Sequence, residues 1–231
     1  MNRHERRAAR AIARATKLEP VTAIHEAGHA VGRYLTADEI GYPADEAISY
    51  IEIGTGGRCE SIDGKTILLT EATTYGPMLS REIFEIIRRE AIRGEISTDR
   101  NRIRGEDAKR AIAKAHSQGV DTLKWLRARL FYIMLGPAAE AKYRGIQLDE
   151  VLASYQAESD LIDAVNTCSL AGITEEADIY AYTDAAEARA KSTIQQPRIW
   201  QAIVTLANAL PAAGQFSGRR AAKIIELALA D

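Results

Sequence analysis

The sequence predicts a mainly α-helical, single domain with a small embedded β-sheet. Three observations carry that expectation. Apolar residues recur at helical spacing near the start and again from residue 80 onward. Strand-forming stretches rich in Ile, Tyr and Thr are confined to residues 41–77. A chain of 231 residues, 46% hydrophobic and 27% charged, can bury a sizeable core without disulfide staples, which argues against wholesale disorder.

Charge and composition exclude several roles. Thirty Lys and Arg stand against 32 Asp and Glu, for a formal net charge of −2. That balance argues against nucleic-acid binding as the whole-protein role. No apolar run reaches the about 18 residues of a transmembrane helix, and no apolar segment of a secretory signal follows the start. Cys59 and Cys168 are too few for a disulfide framework. A soluble, cytoplasmic protein is the expectation.

Residues 1–19 read as a basic helix or tail. Arg3, Arg6, Arg7, Arg10, Arg14 and Lys17 outnumber Glu5 and Glu19. A solvated terminal helix accounts for them, and tethering to nucleic acid or membrane is the alternative. Pro20 then suits the first turn of a helix, where its missing N–H costs nothing. Ile24, Ala27, Val31 and Leu35 follow on one face. Gly28, a weak helix former, marks close packing.

Residues 48–53 and 65–70 read as strands of a two- or three-stranded sheet, with a two-residue hairpin turn at Asp63-Gly64. Segment 81–110 holds 16 charged residues, nine basic and seven acidic. It reads as a solvated helix with Ile83, Phe84, Ile86, Ile87 and Ile92 on its apolar face, then a polar loop around 94–105. Helices are expected at 106–117, 121–134, 137–144, 160–170, 176–191, 197–209 and 217–230, punctuated by Pro and Gly. Trp125, Trp200 and Cys168 read as core residues, and His116 as surface.

His25-Glu26-Ala27-Gly28-His29 is an HExxH motif. Residues four apart share a helix face, so both imidazoles can ligate one metal. Glu26 lies beside the first ligand and can serve as general base. Zn²⁺ suits two imidazoles plus a carboxylate. No third His follows at metzincin spacing. Glu82, Glu85 and Glu90 are candidates for a thermolysin-like third ligand, and a distant Asp is the other option.

Here the chain resembles a family. Residues 22–31, around His25-Glu26-Ala27-Gly28-His29-Ala30, are similar to the HEAGHA segment of FtsH-type zinc metalloproteases. Leu135-Gly136-Pro137-Ala138-Ala139-Glu140-Ala141, with Gly145 following, resembles that family's LGGRAAEE…G helix. Glu158-Ser159-Asp160-Leu161 resembles its SNDL segment, whose Asp is the third zinc ligand. The end of the chain, from Trp200 through Gly218, is similar more loosely. The resemblance implies that His25, His29 and Asp160 hold the metal. Asp160 also sits where a helix dipole favours a carboxylate.

The separation of Asp160 from His29 is 131 residues (160 minus 29), longer than is usual in the family. Residues 20–231 are thus expected to form the FtsH-like peptidase domain, with a charged insertion at about 80–130. The family's ATPase module has no counterpart here. Gly64-Lys65-Thr66 is the nearest approach to a P-loop, but the motif requires Gly where Cys59 stands, so no nucleotide binding is expected.

The resemblance implies a zinc metalloendopeptidase acting on short or unfolded polypeptides, or fed by an unfoldase in trans. The alternative is a non-catalytic zinc-binding interaction or regulatory module that keeps the fold. No oligomeric state follows from the sequence. A peptide substrate is best held against a strand edge, so a strand from 48–53 or 65–70 is expected to border the cleft with an open edge.

Overall fold

The computed structural model describes residues 19–53, 57–60, 66–69, 72–89, 105–154, 157–211 and 214–230. Helix α1, Pro20–Leu35, begins with its proline in the first turn. Its Ala23, Ile24, Ala27, Ala30 and Val31 are buried. The helix packs on α4, Thr122–Arg144, the central helix, which is almost continuously buried from Leu126 to Ala141.

Glycines set the closeness of that crossing. A Cβ added at Gly28 would lie 2.7 Å from the Leu135 carbonyl oxygen and 2.9 Å from the Gly136 Cα. One added at Gly32 would lie 2.8 Å from the Tyr132 Cα. Two glycines one turn apart therefore let the backbones of α1 and α4 nearly touch, a separation no larger residue permits.

Helix α4 corrects one expectation. The breaks read at 134 and 137 do not exist: one 23-residue helix runs through Pro137. Pro137 removes the N–H that would serve the Ile133 carbonyl. The apolar neighbours that bury this turn on every side outweigh the lost hydrogen bond. Asp121 caps the start, accepting from the Lys124 N–H at 2.8 Å, and Gly145 closes the end at φ 68°.

The remaining helices among the described residues are α2 (Arg81–Arg89), α3 (Gly105–Ser117), α5 (Leu148–Leu152), α6 (Glu158–Leu170), α7 (Glu176–Thr193), α8 (Pro197–Ala209) and α9 (Gly218–Ala230). The charged segment 80–130 supplies α2, α3 and the start of α4. Its Ile83, Ile86, Ile87, Ile112 and Trp125 join the same hydrophobic cluster as α1. Trp125 and Cys168 are buried, Trp200 is partly so, and His116 is exposed.

Strands β1 (Tyr50–Ile53), β4 (Ala72–Tyr75) and β5 (Gly214–Ser217) make an antiparallel sheet in the order β4-β1-β5. Ile51 pairs with Thr74 on one side and Phe216 on the other. The apolar face rests on the helices, with Ile51, Ile53 and Phe216 buried. Strands β2 (Gly57–Glu60) and β3 (Thr66–Leu69) pair separately. Their last pair, Glu60 with Thr66, leaves residues 61–65 between, so the turn expected at Asp63-Gly64 lies outside the described residues. The basic tail, the loop 94–104 and Glu90 also lie outside them.

The sequence reading expects no strand ahead of the helix at 217–230. Gly214–Ser217 is instead a strand that runs straight into α9. Gly218 makes the junction possible, since a Cβ there would overlap the Ile48 carbonyl.

Candidate metal centre

Helix α1 places His25 and His29 one turn apart on the face turned toward α4 and α6. Asp160 stands in the first turn of α6. Ala164 and Cys168, buried further along, seat that helix on the core. A second anchor is Arg129 of α4. Its Nε donates to Thr167 of α6 at 2.8 Å, and its guanidinium donates to the Met78 carbonyl at 3.1 Å. One buried side chain thereby ties together α4, the helix of Asp160 and the segment that follows β4.

The three side chains converge. His25 Nε2 lies 3.0 Å from His29 Nε2 and 3.0 Å from Asp160 Oδ2. His29 Nε2 lies 3.3 Å from Asp160 Oδ1. Their ligand atoms all fall within 4.8 Å of one another. Each ring is only 12% exposed and Asp160 15%.

Hydrogen bonds on the far side of each ring settle the tautomers. His29 Nδ1 faces the Tyr132 carbonyl at 2.9 Å. A carbonyl only accepts, so Nδ1 carries a proton, and in the neutral ring Nε2 presents a lone pair. His25 Nδ1 faces Glu140 Oε2 at 3.0 Å, and Glu140 Oε1 accepts from Arg144 at 2.7 Å. Burial raises the Glu140 pKa, but the His25 and Arg144 contacts more than offset it and keep the carboxylate ionised. His25 is therefore also an Nδ1–H donor with a bare Nε2. Carboxylate and backbone partners of this kind orient metal-ligating histidines.

Two lone pairs and a carboxylate thus meet with no donor among them. Asp160 Oδ2 is buried without a hydrogen bond. Such a cluster can take up a cation, and the donor set of two imidazoles and one carboxylate fits Zn²⁺. Without metal, protons take that place. Burial lowers the His25 pKa, yet Asp160 and Glu140 raise it to about 10. His29 is raised too, as the charge of Asp160 overcomes burial. Burial works to raise the Asp160 pKa, but the two histidines hold it well below the ordinary carboxylate range.

Gly136 of α4 makes room for the second ring. A Cβ there would overlap His29 Cε1 and Nε2. Glu26, the residue between the ligands in sequence, is buried. Its Oε2 accepts from the Thr74 hydroxyl at 2.8 Å, and its own backbone carbonyl lies 3.1 Å from the same oxygen.

Of the other carboxylates considered as ligands, Glu82 is exposed and Glu85 pairs with Arg88 at 2.8 Å. Neither joins a metal-binding group among the described residues. Glu90 is not described. The expectation of an open edge on 48–53 is corrected. Strand β1 is central, with β4 and β5 covering both its edges. Of 65–70, the described part is β3, paired with β2. The strand that reaches the site is β4, at the sheet's edge.

Sequence reading missed the roles of Glu140, Arg144, Gly136, Thr74 and the Tyr132 carbonyl. Glu140 had a signal: it is the sole acid between Leu126 and Ala141 of a buried helix. The Tyr132 carbonyl had none, because any residue supplies one. No helix of the described residues is long and apolar enough to cross a membrane. No protein-family model, no curated protein and no solved structure matches this chain.

Proposed function

We propose that the protein is a zinc-dependent metallopeptidase acting on extended polypeptides. The observation that supports this best is the convergence of His25 Nε2, His29 Nε2 and the Asp160 carboxylate, beside the buried Glu26. A purely structural metal site has no need of Glu26. The resemblance of the three motifs to FtsH-type proteases supports the same reading.

His25, His29 and Asp160 would hold the metal, with Glu140 and the Tyr132 carbonyl fixing the rings. Zinc bound there supplies Lewis acidity, which acidifies water and polarises a scissile carbonyl. Glu26 accepts a proton from the attacking water and passes it to the departing amine. Strand β4 has β1 on one side and no strand on the other among the described residues. An extended peptide can add there through main-chain hydrogen bonds, which favours short or unfolded chains. In the cytoplasm these would arrive unfolded already or from an unfoldase in trans.

Metal analysis and a casein assay test the proposal. His25→Ala should lose zinc and cleavage together. Glu26→Gln should keep stoichiometric zinc and lose cleavage by a factor of about 10² or more. Zinc-loaded protein that cleaves nothing, with Glu26→Gln indistinguishable from it, would point to a non-catalytic module instead.

A further inference from the structure

We infer that Thr74 is a positioning residue for Glu26, holding the general base in place from the edge strand. This rests on the peptidase reading above. Thr74 and Glu26 are 48 residues apart in sequence and sit on different elements, yet the Thr74 hydroxyl lies 2.8 Å from Glu26 Oε2 and 3.1 Å from the Glu26 carbonyl oxygen. A single hydroxyl thus spans the backbone and the carboxylate of one residue. That contact fixes the Glu26 side chain relative to its own helix.

Burial makes the contact exclusive. Thr74 is 7% exposed and Glu26 5%. Water cannot readily replace the hydroxyl. Among the described residues it is the sole hydrogen-bond donor to that carboxylate. Both partners of the hydroxyl are acceptors, so Thr74 donates.

Strand geometry explains why Thr74 alone does this. Successive side chains alternate faces, so Thr74 turns inward while Thr73 is exposed. Pairing of Thr74 with Ile51 locks that register. A base must lie within hydrogen-bond reach of the proton it takes, and an unrestrained Glu side chain samples several rotamers. Thr74 does not itself reach the ligands His25, His29 or Asp160 by any hydrogen bond. Its loss should therefore slow turnover and leave substrate and zinc binding alone.

The test compares Thr74→Val, which keeps shape, with Thr74→Ser, which keeps the hydroxyl. Zinc content and circular dichroism screen the fold, and Thr74→Ala is read in the same way if Val is not tolerated. Thr74→Val should retain full zinc, lose about 10- to 100-fold in kcat, as expected for a hydrogen bond to a charged group, and hold KM within about twofold. Thr74→Ser should recover most of the rate. Thr74→Val should add no further loss to Glu26→Gln. In metal-free protein, the two substitutions together should shift the urea midpoint by less than the sum of each alone. Wild-type kcat in Thr74→Val, or a Thr74→Ser as slow as Thr74→Val, overturns the inference while the peptidase reading stands. A zinc-loaded wild type that cleaves nothing overturns both.

Discussion

At the residue scale, the site depends on groups that touch the ligands from behind. Glu140 links His25 to Arg144, whose side chain reaches solvent. Glu140→Gln keeps the size but removes the charge that holds the His25 Nδ1 proton. Zinc affinity should fall about 10- to 100-fold, read by competition with a chromophoric chelator. Unchanged affinity would show that the ring is oriented by packing alone. The convergence of His25, His29 and Asp160 was legible because helix geometry makes HExxH a face, and because the family resemblance singled out Asp160. Their supports were less so. Thr74 meets Glu26 only after strand and helix have packed, and no local pattern encodes that meeting. Glu140 was quoted within a motif but had no assigned role, since a lone acid in an apolar helix tells of a buried partner without naming it.

At the element scale, the closeness of α1 and α4 decides whether both histidines can reach Asp160. Gly28→Ala puts a methyl group against the Leu135 carbonyl and the Gly136 Cα. The helices must part or strain, at about 1–3 kcal/mol of stability. Urea unfolding should show that loss. Gly105→Ala, where nothing lies within 4 Å of the added carbon, should stay within about 0.5 kcal/mol. Equal effects at the two sites would deny the crossing its special tightness. Helices with strong apolar stripes and clear caps were readable to within a few residues, as at Pro197–Ala209. Two features were not. Pro137 reads locally as a break, but burial on all sides carries the helix through it. Gly214–Ser217 carries little strand propensity, and it is a strand because β1 offers an unpaired edge.

At the scale of the whole molecule, the proposed metal binding would draw on the same charges as folding. In metal-free protein the folded-state pKa of His25 is raised, so its contribution to stability is complete below about 6.5 and is lost as pH rises through about 10. Asp160 is depressed, so its contribution is present above about 3.9 and lost in acid. Zinc needs both imidazoles without their Nε2 protons and competes with those protons. The gap in Tm between zinc-loaded and metal-free protein should therefore widen from pH 6 to pH 8.5, read by differential scanning calorimetry. A constant gap would mean that protons and metal do not share the site. The order of the central sheet adds a constraint of timing. Strand β1 receives its first neighbour some twenty residues later in the chain, but its second comes from Gly214–Ser217, more than 160 residues away. A ribosome must release more than 160 further residues before β1 is flanked on both sides. Until then the nascent chain carries a bare strand edge, and a chaperone that shields such edges has its longest window of action on this stretch.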